Sequence, residues 1–257
     1  MTLLLTNGGG ASDLKPASSM AFDTYAAVVE QRIGAEVARP ETFLWVDTLP
    51  DARHRQLMDT LRRGEVVTER LRVGQKIDVP DGLIHHWIGI IFVPNGHVQD
   101  AVAPLQDYDR HAAVYSPNVV QSKTLDHRGD RFRVFLRFYM KKVIGATLNT
   151  EHDAQFVTVA ADRTYSAIHS TRVAEVEDAG TPREHELPPG QGHGFMWRLN
   201  TYWRFLERDG GTYVQCESLT HSRDVPFGLG WIVKPFVTEI LMESLTFTLQ
   251  RTRAALR

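Results

Sequence analysis

Histidine, cysteine and paired carboxylates are the residues here that could do chemistry, and their spacing restricts what that chemistry is. His169 lies in an alternating stretch, Tyr165-Ala167-His169-Thr171-Val173, and its imidazole titrates near neutrality, so it could serve as an acid or a base. Glu151, Asp153 and Glu217 are carboxylates that could partner it, but strand residues far apart in sequence pair only through the fold. A histidine inside a sheet is more often a satisfied interior group than a catalyst. His85-His86 does not suit a metal, because adjacent strand residues point to opposite faces. His152, His185, His193 and His221 show no ligand spacing, so no metal site is expected. Cys216 is the sole cysteine; it cannot form an internal disulfide, and no nucleophile motif surrounds it. Gly228-Leu229-Gly230 lacks the third glycine of a dinucleotide fingerprint, and no cofactor is expected. No catalytic residue is assigned.

The elements that must hold these groups are legible as patterns. Phe132, Val134, Leu136, Phe138 and Met140 alternate with Arg131, Arg133, Arg137, Tyr139 and Lys141, the signature of a half-buried strand. Further strands are expected near 143–159, 164–175, 194–207 and 212–222, with turns at Ala160-Ala161-Asp162-Arg163 and Arg208-Asp209-Gly210-Gly211. A long helix from about Ile232 to Leu256 follows, with Val233, Val237, Ile240, Leu241, Ser244, Leu245 and Thr248 on one stripe. Earlier in the chain, a strand spans Leu83 to Val93, and a helix carries Val98, Ala101, Val102 and Leu105 as its buried face; Pro104 should end or kink it. A short helical turn (107–115) and a strand from Val119 precede the hairpin turn at His127-Arg128-Gly129-Asp130. Residues 1–20 read as a loose N-terminus and 21–80 as a helical extension, with helices near 22–37 and 51–63, packed on a main domain spanning 81–257. The stretch from Glu177 to His193 is rich in glycine and proline and suits either a lid or a solvated hairpin extension.

Composition excludes several classes. With 257 residues, 42% of them hydrophobic, the chain is long enough for a substantial core. A net charge of -2 argues against general nucleic-acid binding. No apolar run approaches the roughly 20 residues of a membrane-spanning helix. Arg131, Arg133, Arg137, Lys141 and Lys142 form a basic stripe that could touch anionic headgroups, although a solvated face offset by Glu151 and Asp153 accounts for it more simply. Met1-Thr2-Leu3-Leu4-Leu5 is too short for a signal core, while 7–16 resembles the text after a cleavage site; the sequence as it stands suits the cytoplasm, with export open if a leader is missing.

The order strand, two short helices, antiparallel strands and one long terminal helix is the helix-grip arrangement, an α+β fold. Ile90-Ile91-Phe92-Val93-Pro94, Val98 and Val102, Asp107-Tyr108-Asp109 and Tyr115-Ser116-Pro117-Asn118-Val119 resemble the opening of START/Bet v 1-type proteins, the superfamily of polyketide cyclases and lipid-transfer domains. The resemblance covers about 83–256. It is closer to a group of uncharacterised bacterial proteins in the texts around Thr181-Pro182-Arg183-Glu184, Trp197-Arg198-Leu199-Asn200 and Gly228-Leu229-Gly230-Trp231. It implies an internal cavity for an apolar ligand, such as a lipid, sterol, polyketide or aromatic compound, and it carries over no catalytic residues.

With larger apolar residues pointing inward, the predicted ligand-binding set is Tyr165, His169, Thr171, Trp197, Thr201, Trp203 and Cys216 on the sheet. These face Val237, Ile240, Leu241 and Ser244 on the helix. A pocket that is mostly apolar with a few polar groups suits ligand binding. Binding or carriage of an apolar small molecule is therefore the leading expectation. A cyclase- or aromatase-type enzyme using His169 or Tyr165 is the alternative, and a protein that docks a partner through 21–80 is the third. Peripheral membrane contact is compatible with this reading.

Overall fold

The computed structural model describes residues 13–74, 77–140, 145–224 and 230–256, with side chains of the last helix described from Glu239 onward. Among the described residues the alternating runs form a nine-stranded antiparallel sheet. Its strands are β1 (Val67–Arg70), β2 (Gly82–Pro94), β3 (Val119–Arg128), β4 (Arg131–Met140), β5 (Ala146–Ala160), β6 (Arg163–Glu177), β7 (His185–Glu186), β8 (Arg198–Arg208) and β9 (Gly211–Arg223). The order across the sheet is β1-β2-β9-β8-β6-β5-β4-β3, with β7 paired to β6. β3 and β4, β5 and β6, and β8 and β9 are joined by tight turns. At Asp209-Gly210 both residues adopt positive φ (59° and 76°), the backbone that a two-residue hairpin demands.

Among the described residues five α-helices accompany the sheet: α1 (Pro16–Val37), α2 (Asp51–Arg62), α3 (Val98–Gln106), α4 (His111–Val114) and α5 (Gly230–Ala255). The fold is the helix-grip arrangement, with the sheet wrapped on the C-terminal helix. α1 begins at Pro16, so residues 16–20, expected to be loose, are helical; residues 1–12 lie outside the described ones. Ser18 explains the early start: it is buried, and its hydroxyl pairs with His221 Nε2 at 2.9 Å. Pro104 sits inside the last turn of α3, where the N–H it lacks would have served only the carbonyl four residues back, and the helix runs two residues further.

Both faces of the sheet are covered in its β2–β9–β8 region. On the inner face, Trp87, Ile91, Val93, Trp203, Phe205, Val214 and Cys216 pack with α3 and with Leu245 and Leu249 of α5. On the outer face, Ile88, Ile90, Phe92, Leu206 and Tyr213 pack against Phe43, Trp45, Leu57 and Leu61 of the extension. Tyr202 and Leu219 pack there against Phe22, Val29 and Ile33 of α1. The near-continuous burial of β2 from His85 to Val93 follows from this double cover. The segment between Glu177 and His193 is partly a hairpin, with β7 opposite Val176 and Glu177. Its return is strapped to the buried Glu175 carboxylate, which accepts from the backbone N–H groups of His193 (2.7 Å) and Phe195 (3.0 Å).

Candidate functional site

The register between strands arranges the inner face in rows. One row runs Gly89, Cys216, Trp203, Ser166 and Phe156; the next runs Trp87, Ser218, Thr201, Ile168 and Ala154. A third brings His85, Thr220 and Leu199 into line, and Leu199 N–H donates to Ser170 Oγ at 2.9 Å, next to His152 on β5. The C-terminal half of α5 lies on the first row. Gly89 permits this approach, since a β-carbon there would stand 2.5 Å from Leu249 Cδ1 and 3.2 Å from Leu245 Cγ. Beyond that row, α5 is described by its backbone alone up to 238.

Polar atoms interrupt this apolar wall. Trp87 Nε1, Ser166 Oγ and His152 Nδ1 are buried without a hydrogen-bond partner among the described residues. Each such group forfeits about 1–3 kcal/mol of hydration that nothing among the described residues returns. His152 Nε2 is satisfied by Thr150 Oγ1 at 2.9 Å, and His85 Nε2 by Ser222 Oγ at 3.0 Å. Burial lowers both imidazoles to about 4, with Arg70 and His221 adding to the effect at His85, so both are neutral near pH 7. Burial likewise pushes the Cys216 thiol up, which suits a packing residue and not a nucleophile.

The predicted residues divide between two faces. Trp203, Cys216 and the half-buried Thr201 are on the inner face, and Leu241 packs against the same cluster. Ile240 is half-buried, Ser244 is exposed instead of inward, and the Val237 side chain lies outside the described residues. Tyr165 and His169 are corrected to the outer face: Tyr165 packs in the α1 cluster, and His169 Nε2 pairs with Glu30 of α1 at 2.9 Å. Thr171 is the extra residue of a β-bulge and is exposed. Trp197 precedes β8 and sets its ring edge-on to His221, 5.1 Å between centroids. The error in β6 has a physical source. Ranking faces by apolar size works when one face meets water, but α1 covers the other face here, and Tyr165 and Ala167 serve that contact. The inner side of β6 is Ser166, Ile168 and Ser170, and with Trp87 and His152 these are the residues that sequence reasoning missed. The usable signal for His152 was its alternation with Leu148, Ala154 and Phe156.

The outer face has a polar arrangement of its own. Glu30 accepts from Tyr202 OH at 2.7 Å as well as pairing with His169, and the His169 hydrogen bond is the main cause of its lowered pKa. Asp153 is the cross-strand neighbour of His169, yet the imidazole's hydrogen bond goes to Glu30 of α1. Deeper, Glu217 meets His86 Nε2 at 2.6 Å, Arg32, and Arg204 at 3.8 Å; Glu36 takes Arg204 at 2.7 Å and Arg32 at 2.8 Å. His85 and His86 therefore serve opposite faces. Among the described residues no group of three or more His, Cys, Asp or Glu side chains is placed to hold a metal. On the basic stripe, Arg137 pairs with Glu184 at 2.8 Å and Arg133 with Glu151 at 3.8 Å, whereas Lys141 and Lys142 lie outside the described residues. Among the described residues no helix is long and apolar enough to cross a membrane.

The strand order and the long terminal helix make this a helix-grip fold. Solved structures similar to it include the STAR-related lipid transfer protein from Xanthomonas axonopodis, at 15% identity and a TM-score of 0.47, covering 74% of this chain and 98% of that one. The Zhui aromatase/cyclase from Streptomyces sp. R1128 is similar at 12% identity and a TM-score of 0.44, covering 68% and 94%. Human STARD10 is similar at 8% identity and a TM-score of 0.46, covering 84% and 83%. No family model matches the chain. No curated protein matches it either.

Proposed function

We propose that this protein binds an apolar small molecule, such as a lipid, sterol, polyketide or aromatic compound, between the inner face of the sheet and α5. The observation that carries the reading is the trio Trp87 Nε1, Ser166 Oγ and His152 Nδ1, buried polar atoms without partners on an otherwise apolar wall. An apolar wall with a few unmet donors and acceptors is the composition of a ligand site, where the wall supplies affinity and the polar atoms orient. The inner-face members of the proposed site are Trp87, His152, Ser166, Thr201, Trp203 and Cys216, with Leu241 on the helix side. The cyclase-type alternative is less well supported, because His169 and Tyr165 pack against α1 and His152 hydrogen-bonds to a threonine, with no carboxylate bonded to it among the described residues. The test is native mass spectrometry of the purified protein, followed by solvent extraction and titration with the apolar fluorophore 1-N-phenylnaphthylamine. A copurifying apolar mass, or saturable probe binding that extracted ligand reverses, is expected. Protein that carries no such mass and leaves the probe dark would sink the reading.

A further inference from the structure

The inner face of the sheet is banded along its strands. At one end Phe156, Trp203 and Cys216 belong to the apolar cluster that includes Leu245 and Leu249 of α5. At the other end Leu148, Val173 and Met196 form a second apolar cluster, with Phe138, Met140 and Leu199 packed on it. Between the two ends, two rows carry the polar groups: Trp87, Ser218 and Thr201 in one, Thr220, Ser170 and His152 in the next. Alternation sets the direction of these side chains, because the intervening Tyr202 and Leu219 pack on α1 across the other face. Successive inner positions on one strand stand about 7 Å apart, so the polar rows make a narrow belt between apolar ends.

The belt is open and uncharged. Thr201 and Ser218 keep accessible surface although they lie mid-sheet, whereas Trp203 and Cys216 one row away are buried. Among the described residues the hydroxyls of Thr201, Ser218 and Thr220 have no hydrogen-bond partner. Trp87, directly across from Ser218, is buried, and its Nε1 donor is likewise unpartnered. Along β5 from Phe156 to Thr150, and at the inner positions paired with these across β6, β8, β9 and β2, no Asp, Glu, Lys or Arg occurs. The next inner-side carboxylate, Glu175 opposite Leu148, is occupied by the backbone N–H groups of His193 and Phe195. On α5, Glu239 and Glu243 are exposed. A charge set on this belt would be desolvated without a counter-ion, while a hydroxyl or ketone would find the donors and acceptors it needs.

We infer that the ligand of the inner face is a neutral molecule whose hydroxyl or ketone oxygens lie in its middle, between two apolar ends; this rests on the binding reading above. The experiment is displacement of 1-N-phenylnaphthylamine from the full chain at pH 8 by 6-dodecanol, 1-dodecanol and dodecanoate. The two alcohols have the same atoms and differ only in where the hydroxyl sits. 6-Dodecanol should displace the probe at about fivefold lower concentration than 1-dodecanol, the worth of one net hydrogen bond. Dodecanoate should need more than about tenfold the concentration of 6-dodecanol, because its charge meets no counter-ion on the belt. Thr201→Val and Ser218→Ala each remove one hydroxyl from a partly exposed position. Combined, they should bring the two alcohols within about twofold of each other while 1-dodecanol itself is unchanged, and the Ser218→Ala variant alone should already narrow the gap. Equal displacement by the two alcohols in the parent, or a preference that survives the substitutions, overturns the inference and leaves the binding reading intact. Dodecanoate displacing the probe at lower concentration than 6-dodecanol overturns the assignment of a neutral ligand. If the probe does not bind at all, the binding reading fails and the inference falls with it.

Discussion

Replacing Glu217 by glutamine tests the account of how the N-terminal extension is held. The Glu217 side chain is fully buried on the outer face of β9, between His86, Arg32 and Arg204. With Glu36 it balances two guanidinium groups, of which Arg204 is wholly buried and also donates to the Phe43 carbonyl at 2.9 Å. Glutamine keeps the volume and removes the charge, leaving the buried Arg204 and the partly buried Arg32 facing one carboxylate. Stranding one member of a buried pair costs about 3–5 kcal/mol. With a urea m-value of about 3 kcal/mol/M, the unfolding midpoint followed by circular dichroism should fall by about 1–1.7 M at pH 7. Glu69→Gln is the control: its pair with Arg53 is substantially exposed and should contribute less than about 1 kcal/mol. Burial pushes the Glu217 carboxyl up, but the His86 hydrogen bond and the Arg32 and Arg204 charges outweigh it and leave the pKa below 4.5. The contribution is therefore complete above about pH 4.5 and is lost as pH falls through the folded value, so the difference between parent and variant should narrow in acid. The double variant Arg204→Met/Glu217→Gln should lose less than the sum of its parts by over about 1 kcal/mol. A loss under about 1 kcal/mol for Glu217→Gln, or additivity within about 0.5 kcal/mol, would refute the reasoning.

Other perturbations read separate parts of the molecule. Burial holds His85, His111 and His152 near 4 in the folded chain, so between about pH 6.5 and 4 the unfolded chain takes up protons that the native state refuses. Stability should drop on acidification by about 1.4 kcal/mol per pH unit for each, measured by urea unfolding, and a flat profile would contradict the burial. Ser166→Ala removes an unpartnered hydroxyl: it should leave ligand-free stability unchanged or slightly raised, yet weaken the ligand recovered by extraction, and a clear loss of ligand-free stability would show that the hydroxyl is satisfied. Gly211→Ala would put a β-carbon 2.3 Å from the Val93 carbonyl oxygen and should cost about 1–3 kcal/mol in thermal or urea unfolding, whereas Gly34→Ala, in open space on α1, should stabilise by about 0.5–1 kcal/mol.

The strands and their inward sets were legible wherever one face had a single consistent demand. β4 alternates arginine with apolar residues, and its even positions pack inward; β8 and β9 present Trp203, Phe205, Val214 and Cys216 as their pattern suggests. The terminal helix was legible from its length and stripe, although Ser244 is exposed. β6 was not legible, because α1 makes its outer face as apolar as its inner one, and the bulge at Thr171 then reverses the alternation. The network of Arg32, Glu36, Arg204 and Glu217 was hidden for a different reason. Arg32 and Glu36 read as an ordinary i,i+4 surface pair, and burial comes only from a strand some 170 residues away.

Local periodicity and turn chemistry, which act over a few residues, thus determined on their own that this chain makes a long antiparallel sheet closed by a helix. Which polar groups lie inside was decided by tertiary structure: the double cover of the sheet, the bulge in β6 and the docking of α1. Those depend on which surfaces meet across the fold, and a side chain's burial and bonding partners are properties of both surfaces at once.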